Sequence, residues 1–212
     1  MNKPVIILGA GGIGKAAYEI FRSHDIIIYC FLDDRKSLIG KEINEIPVLG
    51  RTDDDGYLKL IGHKCEAFVA TDDSKLRNSL VKMLKERRKV MPVNAIHKNA
   101  RLSVSARISH GNFINDSAVL GAGAGIGSHN LIHSGAIIEY EAEIGDFVQV
   151  GTGAVVGSGV RVDNQAFIGS GAVLVAGIKI GKNARIGAGS VVVNDVGTGE
   201  TVFGNPAKKV EV

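Results

Sequence analysis

Tryptophan is absent and cysteine occurs only twice, as Cys30 and Cys65, so the chain is not built on a bulky aromatic core or a disulfide framework. Both thiols fall in the first third, and a reducing cytoplasm is the expected compartment. A strong charge of one sign is also missing. The formal net charge is +3, too small to argue for nucleic acid or a membrane surface as partner. Long apolar runs are lacking too. The stretch that ends at Gly9 is too short for a signal peptide or a membrane span. What is abundant is glycine, 28 residues of 212, which suits a fold made of tight corners. The length allows one large or two small domains.

The glycines belong to a pattern. Stepping by six from Ile96 to Val192 meets isoleucine, leucine or valine at every position, and four residues after each comes a second, mostly small series: Ala100, Ala106, Asn112, Ala118 and onward to Val196. Glycine often follows the aliphatic residue, as at Gly121, Gly145 and Gly157. A helical face recurs every 3.6 residues and a strand alternates by two, so neither requires one aliphatic slot in six. A hexapeptide repeat is the signature of a parallel β-helix. Three hexads make a triangular coil of eighteen residues, and prisms of this kind wind left-handed, against the usual crossover rule. Ile96, Ile114, Ile132, Val150, Ile168 and Ile186 are then expected to stack as an internal ladder, and Asn112 and Asn130 as a shorter one. The unbroken register predicts no long loop inside the prism. The glycine after each aliphatic residue is expected to supply backbone freedom at the corner.

The first 94 residues read differently. Val5 to Leu8 is a buried strand, followed by Gly9, Gly11, Gly12 and Gly14, then a helix to about Arg22. A second buried strand from Ile26 ends at Asp33 and Asp34. This is a βαβ opening with the glycine spacing of a dinucleotide fingerprint and an acid about twenty residues on, in which glycines let the backbone approach a phosphate at a helix N-terminus. Strands are expected at Pro47 to Leu49, Ala67 to Ala70 and Val90 to Val93. A helix from about Lys75 to Arg88 is expected to bury Leu76, Leu80, Met83 and Leu84. Too few strands remain for a full dehydrogenase domain. The expectation is a small Rossmann-like parallel sheet over 1–94, binding a nucleotide, and a left-handed parallel β-helix with a C-terminal tail over 95–212.

The combination resembles the sialic acid O-acetyltransferase type and its sister bacillosamine-pathway enzymes, which N-acetylate an amino group on a UDP-linked sugar. The resemblance spans essentially the whole chain. It rests on "LGAGGIGKAAYEI", on "FLDD" at Phe31 to Asp34, on "AIHKNARLS" at Ala95 to Ser103, on "GAIIEYEAEIGDFVQVG" at Gly135 to Gly151 and on the ending "VFGNPAKKV". It implies a homotrimer with acetyl-CoA bound between neighbouring prisms and a nucleotide-sugar substrate on the N-terminal module. Carried across residue by residue, Gly9, Gly11, Gly12 and Gly14 shape the nucleotide site, with Asp33 and Asp34 reading the base or ribose. Gln149, Gly151, Gly169, Gly187 and Lys208 lie along the cofactor's path. No metal is implied.

The chain departs from the family where the chemistry is done. The histidine that takes the acceptor's proton, followed by an acid, is here Tyr140, followed by Glu141. The second family histidine corresponds to Gln149, and that of the glycine loop to Ile13. A phenol ordinarily titrates near 10, so tyrosine is a poor general base at about pH 7. A neutral amine attacks a thioester without prior deprotonation, whereas a sugar hydroxyl lacks that route. The sequence therefore favours N-acylation of a nucleotide-linked amino sugar over O-acetylation, with a catalytically silent relative as the other alternative. His110, His129 and His133, in the first half of the prism, are possible replacement bases. A metal-dependent hydratase on the same prism would use such histidines around zinc, but gives the N-terminal module no part.

Overall fold

A computed structural model describes residues 3–210; residues 1–2 and 211–212, the extreme ends of the two expected domains, lie outside the described residues. Contacts divide the chain into two compact units, Met1–Lys98 and Asn99–Val212.

The first unit runs β1 (Val5–Leu8), α1 (Gly12–Ser23), β2 (Ile28–Leu32), β3 (Glu42–Ile43), β4 (Ile46–Gly50), α2 (Asp55–Leu58), β5 (Glu66–Val69) and α3 (Ser74–Arg88). Its sheet has the order β3-β4-β2-β1-β5. The last four strands in that order are parallel, with Val5 to Leu8 paired residue for residue against Glu66 to Val69. All of β1 is buried, as a parallel strand covered on both faces requires. After β1 the chain lays β2 and β4 on one side, then returns to place β5 on the other. The reversal falls between β1 and β5, and a crevice outside the carboxyl ends of strands at such a reversal is where open α/β sheets bind ligands.

Two expectations are corrected here. Residues 90–93 form no strand: Pro92 has no amide to donate, and Val93 N–H alone reaches Ala67 O, at 2.9 Å. The sheet is edged instead by the antiparallel β3–β4 hairpin, whose turn residues Asn44 and Glu45 both have positive φ, 50° and 68°. Helix α3 is also turned from the expected face. Asp73 caps it by accepting from Leu76 N–H at 2.9 Å, which leaves Leu76 40% exposed and buries Arg77 beside Leu80, Val81 and Leu84. Burial lowers the Arg77 guanidinium to about 10, and it donates to Thr71 O and Asp72 O, bracing the loop that follows β5.

The second unit is a triangular prism of parallel strands, two residues each along its length. The first face stacks Arg101–Leu102, Val119–Leu120, Ile137–Ile138, Val155–Val156, Val173–Leu174 and Val191–Val192. The second stacks Arg107–Ile108, Gly125–Ile126, Glu143–Ile144, Arg161–Val162 and Lys179–Ile180. The third stacks Phe113–Ile114, Leu131–Ile132, Gln149–Val150, Phe167–Ile168 and Arg185–Ile186, then continues into Thr201–Gly204, which turns back antiparallel as Ala207–Lys209. Partners differ by eighteen throughout the repeat, and no loop interrupts it. Of the expected ladder, Ile114, Ile132, Val150, Ile168 and Ile186 are each wholly buried, whereas Ile96, at its start, is only partly buried. Leu102 is 37% exposed because its strand, at the end of the first face, is stacked on one side only. The asparagine ladder forms as expected: Asn112 Oδ1 accepts from Asn130 N–H at 2.9 Å, and Asn130 Oδ1 from Val148 N–H at 2.6 Å.

The corners differ from expectation in which residue turns. The left-handed conformation recurs every six residues, at Gly111, Ser117, Gly123, His129 and so on to Gly189, three positions after the aliphatic residue. The glycine directly after it has ordinary backbone angles. It is glycine because the next coil passes too close for a side chain: a Cβ on Gly121 would stand 2.5 Å from Tyr140 N, and one on Gly157 2.7 Å from Leu174 O.

Candidate active site

In the first unit the four glycines of the loop divide into two kinds. Gly9 has φ +114°, and a Cβ there would stand 2.3 Å from Ala70 O; one on Gly14 would stand 2.1 Å from Gly9 O. These two let β1, α1 and the loop after β5 close on one another. Gly11 and Gly12 face outward: among the described residues nothing lies within 4 Å of a Cβ on Gly12, and a Cβ on Gly11 would be 3.8 Å from Arg35 Nη2. Gly11 is the N-cap of α1, and among the described residues no side chain caps it. The first amides of α1, including that of Ile13, therefore open onto the crevice, where the helix dipole favours an anion.

Asp33 and Asp34 are both engaged within the protein. Asp33 accepts from Ala10 N–H at 2.8 Å and takes a bidentate contact from the Arg35 guanidinium, 2.8 Å at each oxygen. Burial opposes its ionisation, yet the bonds from Arg35 and the Ala10 amide outweigh it and hold the carboxyl at about 2. Asp34 accepts from Thr52 N–H and Oγ1. Arg35 thus becomes the cation beside the glycine loop. Sequence reasoning missed it, although it stands two residues beyond the expected acid.

In the prism, Tyr140 lies on the corner between the first and second faces and is 54% exposed. Gly121, Ala122 and Gly123 form the corresponding corner of the preceding coil, and Gly157, Ser158 and Gly159 that of the next. Gly159 N–H donates to Tyr140 O at 3.1 Å. Small neighbours leave the phenol standing clear. Glu141 holds the corner itself, with φ 57°, and its N–H donates to Ala122 O.

Gln149, Gly151, Gly169, Gly187 and Lys208 come together elsewhere, along the third face and the edge it shares with the first. Gln149, Phe167 and Arg185 stack outward in successive coils, with the Arg185 guanidinium 4.9 Å over the Phe167 ring. Gly151 and Gly169 run beside them, each 2.5 Å at Cβ from a backbone nitrogen of the coil below, and Phe203 lies across Gly187 opposite Lys208. Stepping by eighteen from Gln149 would have found Phe167 and Arg185; sequence reasoning missed both. The structure does not bring this strip and Tyr140 together within one chain.

The three histidines separate as well. His129 is 3% exposed, turns a corner with φ 62° and lies against Phe147 at 4.9 Å. His110 is exposed, beside a cleft on the second face lined by Arg107, Ser109, Gly125 and Glu143. His133 is half-buried at the head of the strip, its Nε2 3.2 Å from Gln149 Nε2. Among the described residues no group of three His, Cys, Asp or Glu side chains is placed to hold a metal ion.

Comparison with known proteins decides the family. Residues 4–84 match the PglD N-terminal domain, and residues 159–194 match the bacterial transferase hexapeptide (six repeats). Over its whole length the chain is similar to PerB from Caulobacter crescentus, solved in complex with CoA and GDP-perosamine, with 30% identity and a TM-score of 0.89 over 98% of this chain and 97% of that one. It belongs to the hexapeptide acyltransferase family of nucleotide-amino-sugar acetyltransferases. This acyltransferase is also similar to the acetyltransferase domain of PglB from Neisseria gonorrhoeae FA1090, solved with acetyl coenzyme A, at 29% identity and a TM-score of 0.90, covering 99% of this chain and 100% of that one. Its fold is accordingly an N-terminal α/β domain followed by a left-handed β-helix. A partial match joins it to the redox-sensing transcriptional repressor Rex of Treponema denticola, 37% identical over 76 residues; the match spans 35% of this chain and 35% of that repressor.

Proposed function

We propose that this acyltransferase moves the acetyl group of acetyl-CoA onto the amino group of a sugar carried on a nucleoside diphosphate, for surface glycan synthesis. The observation that carries the reading is the end-to-end similarity to PerB, which was solved with CoA and GDP-perosamine, in a chain that offers a place for each. The uncapped start of α1 at Gly11 and Gly12, with Arg35 beside it, suits a diphosphate. Gly9 and Gly14 shape that loop, and Asp33 and Asp34 hold its frame and line the nucleoside side. The strip of Gln149, Gly151, Phe167, Gly169, Arg185, Gly187 and Lys208 suits the donor: bare glycine edges for a narrow thioester arm, cations for its phosphates. On this reading residues 1–94 are the nucleotide-sugar domain and 95–212 the acyltransferase domain.

Tyr140 and Glu141 face the acceptor. The phenol orients the amine, and the neutral amine is its own nucleophile. Because the Tyr140 corner and the donor strip occupy different sides of one prism, a complete site joins two copies, in keeping with a homotrimer. Two buried free thiols, with Cys30 pushed up to about 12 mainly by burial, suit a reducing compartment such as the cytoplasm. Among the described residues no helix is long and apolar enough to cross a membrane.

The test is release of free thiol from acetyl-CoA in the presence of UDP- and GDP-linked 4-amino sugars, with mass spectrometry of the acceptor. An N-acetylated sugar is expected. Acetylation only of hydroxyl acceptors would replace the reading with O-acetyl transfer. Binding of both compounds without turnover would replace it with a silent relative.

A further inference from the structure

We propose that His133 is the proton acceptor of the reaction, acting from the third face of one copy on an amine held at the Tyr140 corner of another. This rests on the N-acetyl transfer reading above. Of the three prism histidines, His129 fills its own corner: its Nδ1 lies 2.3 Å from where a Cβ on Gly111 would stand, and Phe147 covers the ring. His110 lies by the second-face cleft, away from the donor strip. His133 stands where that strip begins, at Gln149, the place from which a family histidine is missing.

Gln149 Nε2 lies 3.2 Å from His133 Nε2, and since a side-chain amide nitrogen only donates, the imidazole nitrogen is the acceptor in this contact. The ring therefore presents a basic lone pair on the side of the strip. Phe113 in the preceding coil meets it edge-on, with centroids 6.1 Å apart, and fixes its plane. His133 and Tyr140 mark opposite ends of one prism side. Gly135 turns the corner after His133 at φ 66° and Ile137–Ile138 crosses the first face before Tyr140, so the two share a substrate across copies.

In the step, the acceptor amine nitrogen bonds to the thioester carbonyl carbon and the carbon–sulfur bond breaks. The proton that the nitrogen must lose passes to His133 Nε2 as the Gln149 amide turns aside. It then goes to the departing thiolate, giving an amide and a free thiol with no net proton change. Gln149, freed from the imidazole, can donate to the carbonyl oxygen as charge develops there.

The experiment uses the full chain with His133→Gln, His133→Ala and, as control, His110→Asn, following thiol release against pH with the accepted amino sugar. General base catalysis is worth about 10²–10⁴-fold, so kcat should fall at least about a hundredfold in both His133 variants. The acid limb of the pH profile should disappear, and added imidazole should restore rate to His133→Ala but not to His133→Gln. A merely structural side chain would give neither the lost limb nor the rescue, and those two readouts decide even if a variant is less stable. A kcat within about threefold of the parent with the limb intact, or the same losses in His110→Asn, overturns the proposal. If the parent itself turns over no amino sugar, the function reading fails instead. The His133 imidazole nitrogen resonances must then still shift on saturation with CoA, and unmoved resonances overturn the placement of His133 at the donor.

Discussion

Gly157→Ala and Gly159→Ala separate two reasons for glycine in a single corner. At Gly157 the added methyl would stand 2.7 Å from Leu174 O, 2.8 Å from Ala176 N and 3.0 Å from Val175 C, all backbone of the next coil. Carbon needs about 3.5 Å, so the coils must part by something under an ångström, and the bond from Gly157 N–H to Leu174 O, now 3.0 Å, stretches. Overpacking costs about 1–3 kcal/mol and one weakened ladder bond about 1, so the total is about 2–4 kcal/mol. At Gly159, φ is +65° and among the described residues nothing lies within 4 Å of a Cβ. There the cost is only the left-handed backbone, about 1–2 kcal/mol. For a chain of this size each kcal/mol moves the midpoint about 2–4 °C, so calorimetry should show a loss of roughly 4–16 °C for Gly157→Ala and roughly 2–8 °C for Gly159→Ala. Gly159→Asn should cost less than Gly159→Ala, since Asn183 already holds an equivalent corner at φ 59°. Equal losses at the two positions, or a larger one at Gly159, would refute close approach as the reason for the first glycine.

Arg185→Ala should raise the KM for acetyl-CoA about tenfold or more while leaving kcat within about twofold, as expected for a charged partner of a phosphate; an unchanged KM would remove Arg185 from the donor strip. Arg35→Ala should raise the KM for the nucleotide sugar by a similar factor without affecting that for acetyl-CoA, measured in the same thiol assay. Asp33 has its folded value lowered to about 2 from 3.8, so the stability it contributes is present above about pH 4 and is lost as pH falls towards 2. Urea unfolding across that window should show the parent losing about 1–2 kcal/mol more than Asp33→Asn, a figure reduced for solvent screening at Arg35.

The prism was legible because its constraint is one-dimensional. An aliphatic residue every six positions and asparagines eighteen apart state the coil length outright, and Ile114 to Ile186 and the Asn112–Asn130 ladder stand where that arithmetic puts them. Its corners were misread because glycine answers two demands. The slot that needs positive φ is filled by Ser117, His129, Glu141, Phe147, Gln165 and Asn183 as well as glycine, so composition pointed to the wrong slot. In the first unit β1 and β2 could be read from apolar runs alone. The β3–β4 hairpin could not, because Asn44 and Glu45 make its turn without a glycine, and Pro92 disqualified a stretch whose valines looked like a strand. Arg77 hid in α3 because a buried arginine defies the hydrophobic pattern; what keeps it there is the pair of loop carbonyls it satisfies. Phe167 and Arg185 were missed for another reason. They face outward, in a slot the repeat leaves free, and only the stacking of coils makes them neighbours.

The return of the last strand has a consequence beyond the chain itself. A stack of parallel coils is a template at both ends, since each coil presents to the next a row of amides and carbonyls in a register that any copy of itself would fit. At the C-terminal end, Ala207–Lys209 runs against Thr201–Gly204 in the opposite direction and puts two lysines on the outermost strand of the third face. The polarity no longer matches, and like charges would meet. An in-register parallel addition to that strand of the third face is thereby disfavoured.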